Sequence, residues 1–312
     1  MSELTHVSVL LEQCIEGLNI KPNGTYFDGT LGGAGHSYEI LKNSVPNGKL
    51  FATDLDDYAI SRAKDRLKEF QGRFTLIKDN FKNFLNIKNE YSVEGFDGIL
   101  LDLGVSSFQL DDRSRGFSYM AQDEALDMRM DKSNPLTAEI IVNEYSQEKL
   151  KRIIADYGEE RFTAKIVQNI VEERKTNRIT TIKQLNDIID KSIPAKFKKD
   201  GHPSKRVFQA LRIEVNAELD GLYEVVIDMA RALKKGGRIA IITFHSLEDR
   251  IVKRAFKELE CDCICDKSLP VCVCGKKKEI EIITKHPIIA SEQELEINGR
   301  AKSAKLRIAE KI

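Results

Sequence analysis

The stretch DGTLGGAGHS, residues 28–37, holds four glycines just after the apolar run TYF of residues 25–27. A predicted strand, a glycine-rich turn and a helix start, in this order, let backbone N–H groups approach a nucleotide-like ligand, because glycine has no Cβ to block the approach. The same pattern can also serve only to close a strand–helix unit. It therefore predicts an α/β domain with a candidate cofactor loop.

The chain around this loop alternates between β-rich and helical runs. Strands that are apolar almost throughout belong in a parallel sheet covered by helices on both faces. The first four predicted strands are TYFDGT, KLFATDLD, RFTLIKDN and FDGILLDLG. A fifth, GGRIAIITFHS, follows a long amphipathic helix predicted from about Ser204 to Leu233 and ended by KKGG, residues 234–237. The runs EIEIITKHPI and SAKLRIAEK predict an antiparallel hairpin at the edge of the sheet.

Residues 110–205 show almost no strand pattern. Their apolar residues recur at spacings of three and four, which is typical of amphipathic helices. We therefore expect a helical domain, residues 110–205, inserted between the two parts of the sheet domain, residues 1–109 and 206–312.

Composition limits the classes of function. The 312 residues include 49 basic and 49 acidic side chains, so any contact with nucleic acid must come from local patches. The N-terminal residues carry three glutamates and no basic leader, and no apolar run approaches the roughly 20 residues of a membrane span. We expect a cytoplasmic protein without a membrane partner.

The residues that follow the loop limit which class of ligand it could bind. Asp54 ends the second predicted strand, where an acid can accept hydrogen bonds from the ribose hydroxyls of an adenosine cofactor. The dinucleotide fingerprint G-x-G-x-x-G fails because Tyr38 occupies the third glycine position, which disfavours a nicotinamide dehydrogenase. The pattern acid-G-T-x-G-G-x-G, led by Asp28, better resembles the first motif of methyltransferases that use S-adenosylmethionine.

Further candidates follow the third and fourth strands. Phe81 could pack against a purine, or could be an ordinary core aromatic. Asp102, Ser106 and Gln109 follow the fourth strand at the carboxyl edge of the sheet, where open α/β sheets bind ligands. Any one of them could instead cap the next helix, and this alternative is strongest for Ser106 and its neighbour Ser107.

The motifs together resemble the RsmH (MraW) family. This resemblance implies a methyltransferase that uses S-adenosylmethionine to modify N4 of one cytidine in the decoding region of 16S rRNA, in naked form or in the small ribosomal subunit. It also implies a class I (Rossmann-like) sheet with an inserted helical domain. The motifs are HVSVLL, DGTLGGAGHS, DLGVSS, RGFSY, LDMRMD, YGEERF, HPSKRVFQALRIEVNAEL, ITFHSLEDR and RAKSAKLRIAE. The cofactor contacts that the resemblance implies are Ala34, Gly35, His36, Asp54, Phe81, Asp102 and Gln109.

The chemistry of the base points to Asp102. The N4 lone pair of cytosine is delocalised into the ring, so an acceptor that draws on an N–H proton would raise its reactivity. Asp102 is the candidate for orienting either this amine or the cofactor. The chain lacks the Pro-Pro pair of many amino-methyltransferases, and it has no Pro-Cys or Thr-Cys for C5 methylation. The choice of N4 therefore rests on the resemblance.

A basic stretch in PAKFKKDGHPSKR, residues 194–206, is the best candidate for phosphate contacts, although it could be a solvated loop. A flipped base is usually held by aromatic stacking, for which Phe108, Phe117 and Tyr119 are candidates, although each could equally be a core residue. Alternative functions are a methyltransferase of the same fold with another substrate and a non-catalytic RNA-binding assembly factor. The cationic residues of the patch are Lys196, Lys198, Lys199, Lys205 and Arg206.

Five of the six cysteines lie between residues 261 and 274. Cys263, Cys265, Cys272 and Cys274 form two C-x-C pairs that could hold zinc, but structural zinc sites usually use C-x-x-C. We favour reduced cysteines without a metal. In FHSLEDR, we expect Ser246 to cap a helix together with Asp249, and His245 to have a structural role in preference to that of a base.

Overall fold

The computed structural model of this protein describes residues 8–105, 112–200, 202–266, 271 and 273–312, without the side chains of residues 199 and 200. The chain divides into two compact units. The sheet unit comprises Met1–Gly104 and Asp220–Ile312, and the helical unit comprises Val105–Leu219.

The sheet unit is built on a seven-stranded mixed sheet in the order β3-β2-β1-β4-β5-β7-β6. Strands β1 to β5 are parallel to one another, while β7 is antiparallel to both β5 and β6. This order, which reverses direction between β1 and β4, is a class I Rossmann-like arrangement. The strands are β1 (Thr25–Asp28), β2 (Lys49–Asp54), β3 (Phe74–Lys78), β4 (Phe96–Asp102), β5 (Leu233–Thr243), β6 (Ile280–Ile282) and β7 (Lys305–Lys311).

Helices cover both faces of this sheet, as the apolar strands predict. In β4 all four residues from Gly98 to Leu101 are buried. On one face Phe27, Phe84 and Phe96 pack as a cluster with ring centroids 5.1–5.8 Å apart. The helices of the sheet unit are α1 (Leu11–Leu18), α2 (Gly35–Asn43), α3 (Asp57–Arg66) and α4 (Phe84–Glu90), followed after the insertion by α10 (Leu222–Arg231), α11 (Ser246–Glu260) and α12 (Glu292–Ile297).

The described part of the helical unit contains helices and one isolated β-bridge, Ala125–Thr181. Its core is formed by the apolar faces that the spacing predicted, including Ile141, Ile153 and Ile170. Among the described residues, no helix combines the length and apolar composition that crossing a membrane requires. Its helices are α5 (Ala138–Glu144), α6 (Gln147–Asp156), α7 (Thr163–Glu173), α8 (Ile182–Ser192) and α9 (Lys205–Asn216), with 3₁₀ turns at Arg113–Arg115 and Ala195–Asp200.

The prediction of one long helix from Ser204 to Leu233 is wrong, because the structure has two helices there, α9 and α10. Ala217, at the end of α9, has φ 47°, and Gly221, before α10, has φ 69°, so the chain turns twice in the left-handed region. Because α9 packs against α6 and α5, the helical unit extends to Leu219, beyond the expected boundary at residue 205. The segment Lys234–Gly237 is no helix stop, since it forms an irregularity inside β5.

The two C-terminal runs pair antiparallel at the sheet's edge, as expected. They do not form a tight hairpin, because α12 lies between them. The two strands are also not added to the sheet in chain order, because β7 pairs with β5 and β6 lies outside it.

Candidate active site

The parallel strands bring the sequence-predicted acids to one edge of the sheet. Asp28, Asp54 and Asp102 are the last residues of β1, β2 and β4, and all three strands run in the same direction. This edge includes the point between β1 and β4 where the strand order reverses, which is where open α/β sheets bind ligands.

The glycine loop is fixed to this edge by its neighbours. The Thr53 hydroxyl donates to the carbonyl of Gly29 at 2.9 Å, and the backbone N–H of Asp102 donates to the Thr30 hydroxyl at 2.6 Å. A Cβ on Gly29 would lie 2.4 Å from Leu101 Cδ2 and 2.9 Å from Phe81 Cβ. The loop therefore needs glycine here, because the ends of neighbouring segments approach its backbone closely.

Asp28, the leading acid of the motif, has a structural role in holding the loop. It is buried, accepts the Ser37 hydroxyl at Oδ2 (2.6 Å) and accepts the Thr30 N–H at Oδ1 (3.0 Å). Burial raises the pKa of Asp28 to about 6, although these hydrogen bonds oppose the shift. Asp28 thus joins the loop to the first turn of α2.

Asp54 supports the loop from the side of β2. Its Oδ2 accepts the Gly32 N–H at 2.8 Å, and its Oδ1 accepts the Asp56 N–H at 2.9 Å. Burial raises the pKa of Asp54 against these two hydrogen bonds. Each carboxylate oxygen retains a lone pair, so Asp54 can still accept hydroxyl groups of a ligand.

Asp102 has the most unusual environment of these acids. Its Oδ1 is buried and has no hydrogen-bond partner among the described residues. Burial, reinforced by the negative charges of Asp28 and Glu248, raises the pKa of Asp102 to about 8. A buried carboxylate oxygen without a partner needs an explanation, and a place in a functional site is one.

The residues at the start of α2 are engaged with the N-terminal segment. His36 is buried with Nε2 3.0 Å from the Val9 carbonyl, and a Cβ on Gly35 would lie 1.9 Å from the Ser8 hydroxyl. Ala34, just before α2, is buried and has φ 56°. Their predicted contacts with a cofactor stay predictions.

Phe81 lies beside the loop and is partly exposed, so a ligand can still reach its ring. Gln109 and Ser106 lie outside the described residues, as does Phe108.

Glu248 is a residue at this edge that the sequence did not single out. It is buried and accepts the backbone N–H groups of Phe244 (2.8 Å) and His245 (3.3 Å). The expected Ser246–Asp249 cap is therefore wrong: His245 is the N-cap of α11, and Glu248 completes the capping box. The box was placed one residue late because Ser is the more usual capping residue. Asp249 instead pairs with Arg307.

The basic patch in the helical unit is largely exposed and partly paired. Lys198 lies 2.7 Å from Asp190, and Arg206 lies 3.8 Å from Glu160. Lys196 and Lys205 are exposed, and the side chain of Lys199 is not among those described. Of the proposed stacking residues, Phe117 is a core residue and Tyr119 is partly buried, with its ring centroid 4.6 Å from that of His202.

Comparison with known proteins identifies the family. The model of the MraW methylase family matches residues 3–312. A protein named ribosomal RNA small subunit methyltransferase H 2, from Agathobacter rectalis, is 54% identical over 99% of both chains. Proteins named ribosomal RNA small subunit methyltransferase H, from Clostridium botulinum and Clostridioides difficile, are 54% and 52% identical over 99% of this chain and 100% of theirs. This chain is a member of the MraW methylase family.

Proposed function

We propose that this protein methylates N4 of a cytidine in the decoding region of 16S rRNA, with S-adenosylmethionine as the methyl donor. The observation that carries the proposal is the set of acids at one sheet edge, beside a glycine loop, in a chain of a methylase family. The names of the relatives support small-subunit rRNA as the substrate. The choice of N4 rests on the resemblance to the RsmH (MraW) family.

The residues at this edge fit the cofactor. Asp54 would accept hydrogen bonds from the ribose hydroxyls, and Phe81 would pack on the adenine. The backbone of the glycine loop would contact the rest of the ligand. The raised pKa of Asp102 and its unpartnered Oδ1 suit a site that receives a polar or cationic group. S-adenosylmethionine supplies a methyl group on a positively charged sulfur, so no general acid is needed to activate the leaving group.

Asp102 is the proposed residue for positioning the amine. As an ionised carboxylate it would accept a proton from N4, and as a neutral acid it would donate a hydrogen bond to the ring or the cofactor. The pH dependence of kcat/KM separates these roles, because it reports the pKa values of the free enzyme. An acceptor requires kcat/KM to rise toward a pH of about 8, and a donor requires it to fall above that pH.

The helical unit is proposed to contact the RNA. Lys196, Lys205 and Arg206 offer exposed charges for phosphates, and Tyr119 is the remaining described aromatic candidate for stacking on an unpaired base. The protein would then act in the cytoplasm, where small ribosomal subunits are assembled.

The deciding experiment is methyl transfer from labelled S-adenosylmethionine to small ribosomal subunits and to naked 16S rRNA, both from cells that lack this protein. Nucleoside mass spectrometry of the product should show N4-methylcytidine. Label in another nucleoside would favour a different target on a macromolecule. Cofactor binding without any transfer would favour a non-catalytic RNA-binding assembly factor.

A further inference from the structure

The segment between α11 and β6, residues 261–279, begins and ends at neighbouring positions in the sheet unit. The Glu279 N–H donates to the Leu259 carbonyl at 2.8 Å, and the Ile282 N–H donates to the Glu260 side chain at 3.1 Å. The described residues between these ends form neither helix nor strand. Loops longer than about 12–15 residues without secondary structure are uncommon in compact domains, so a segment of this length needs its own source of order.

Hydrophobic burial does not supply this order among the described residues. Ile264 and Val271 are each 70% exposed, and Val273 is 77% exposed. A segment whose described apolar side chains face water gains little free energy from packing. Its order must then come from a cross-link such as a disulfide or a metal ion.

Three cysteines of the segment come together. The Sγ atoms of Cys263, Cys265 and Cys274 all lie within 4.8 Å of one another, and those of Cys263 and Cys274 are 4.0 Å apart. A tetrahedral zinc ion with Zn–S bonds of about 2.3 Å requires S···S distances of about 3.8 Å. The separation is about twice the roughly 2.05 Å of a disulfide bond. The spacing therefore matches shared coordination of one ion better than a bond between these two sulfurs.

Backbone N–H groups point to the same sulfurs. Cys263 Sγ accepts from the Cys265 N–H at 3.4 Å, Cys265 Sγ from the Val273 N–H at 3.3 Å, and Cys274 Sγ from the Ile264 N–H at 3.4 Å. Hydrogen bonds to sulfur favour the thiolate over the thiol, and they orient ligands that bind metals. Each of the three sulfurs thus accepts one backbone hydrogen bond.

From these contacts we infer, against the expectation of reduced cysteines without a metal, that Cys263, Cys265 and Cys274 bind a zinc ion that joins two described parts of this segment, residues 261–266 and 273–279. On binding, each thiol loses its proton to solvent and gives a lone pair to the metal, without any change of oxidation state. Soft thiolate ligands select zinc over magnesium or calcium. The site rests on these three described cysteines, and Cys272 lies outside the described residues.

Cys261 provides a matched control. It lies in the same segment, but its Sγ donates to the Cys263 carbonyl at 2.7 Å and is not one of the three clustered sulfurs. Cys261→Ser removes a thiol of the same segment without removing a proposed ligand.

The test uses the full-length protein purified under reducing conditions. Metal content is measured by plasma mass spectrometry, and affinity by titration with Co²⁺, whose absorption reports tetrahedral thiolate coordination. We expect about one zinc per chain in the wild type and in Cys261→Ser. Cys263→Ser and Cys274→Ser should lose more than the roughly 10–100-fold in affinity that loss of a supporting contact costs.

Two results would overturn the inference. One is a wild-type protein that binds neither zinc nor Co²⁺ with a thiolate spectrum. The other is unchanged metal affinity in Cys263→Ser and Cys274→Ser. Circular dichroism and calorimetric binding of S-adenosylmethionine show whether each variant is folded, and the wild-type cobalt spectrum does not depend on the variants.

Discussion

At the scale of single residues, Asp102 and Asp54 are two acids at the same sheet edge whose carboxylates have different environments. Asp54 uses both oxygens to support the backbone of the loop and its own turn. Asp102 has a buried Oδ1 without a partner among the described residues. Asp54 is therefore arranged to shape a binding loop, whereas Asp102 is destabilising in the free protein and is available to a ligand.

The raised pKa of Asp102 predicts a pH dependence of stability. Its pKa is about 8 in the folded protein and about 3.9 when unfolded, so between these values the folded state holds an extra proton. The free energy of unfolding should therefore fall as pH rises through this window, by up to about 1.4 kcal/mol per pH unit. Asp102→Asn should remove this part of the slope, as measured by urea unfolding from pH 6.5 to 8.

This range separates Asp102 from Asp28, whose pKa of about 6 confines most of its contribution to lower pH. Parallel slopes for the wild type and Asp102→Asn would show that Asp102 is already ionised in the free protein.

Asp54→Ala should weaken binding of S-adenosylmethionine. It removes the acceptor proposed for the ribose and the support of the Gly32 N–H. Hydrogen bonds to a charged group contribute about 1.5–3 kcal/mol, which corresponds to roughly 10–100-fold in Kd. Calorimetry measures the effect, with Asp57→Ala as the control, because Asp57 is exposed at the start of α3 and pairs with Lys78. Equal affinities for the two variants would place the ribose elsewhere.

At the scale of elements, the 3₁₀ turn Ala195–Asp200 and the start of α9 carry the basic patch. Lys198 is paired with Asp190, whereas Lys196 lies 4.9 Å from the centre of the Phe197 ring and keeps its charge exposed. An exposed lysine next to an aromatic ring is a common arrangement for contacts with single-stranded RNA.

We expect Lys196→Glu combined with Lys205→Glu to weaken binding to 16S rRNA. Each lost phosphate contact on a single strand reduces the slope of log K against log salt by about 0.7. Binding measured over a series of salt concentrations should therefore show a slope shallower by about 1.4. Lys151→Glu, an exposed change of the same charge on α6, is the control for a general charge effect. An unchanged slope in the double variant would exclude this patch from the interface.

Elements with a strong pattern were predictable from sequence, and those with a mixed pattern were not. Strands β1 to β4 follow from nearly continuous apolar runs, and their ends give Asp54 and Asp102 directly. The break between α9 and α10 was missed because apolar residues keep a helical spacing across it, and Ala217 carries no signal for its left-handed conformation. Glu248 was missed because its role depends on His245 as an unusual cap.

At the scale of the whole molecule, contacts between distant segments hold the second half of the sheet unit together. Arg307 on β7 forms two hydrogen bonds to Asp249 on α11, at 2.6 and 3.1 Å, and both side chains are largely buried. Burial raises the pKa of Asp249, but the hydrogen bond to Arg307 and the positive charges of Arg307, Lys305 and Lys253 together bring it below its ordinary value. Arg238 on β5 forms a more exposed pair with Glu310 on the same β7 strand.

Arg307→Gln should therefore destabilise the protein by about 3 kcal/mol, the lower end of the cost of breaking a buried pair, because Lys305 still lies 3.7 Å from Asp249. Arg238→Gln should cost only about 1 kcal/mol, as expected of a partly exposed pair. Urea unfolding of the two variants at neutral pH measures the difference. Equal losses would mean that burial of the Asp249 pair adds nothing.

The position of β7 between β5 and β6 has a consequence for folding during synthesis. A ribosome synthesises β5 well before residues 305–311, so the nascent β5 has β4 on one side and an open edge on the other. That edge belongs to a strand rich in isoleucine, and such an edge readily pairs with strands of other chains. Fragments that stop before residue 305 should therefore aggregate, and newly made protein is most vulnerable to self-association just before β7 emerges.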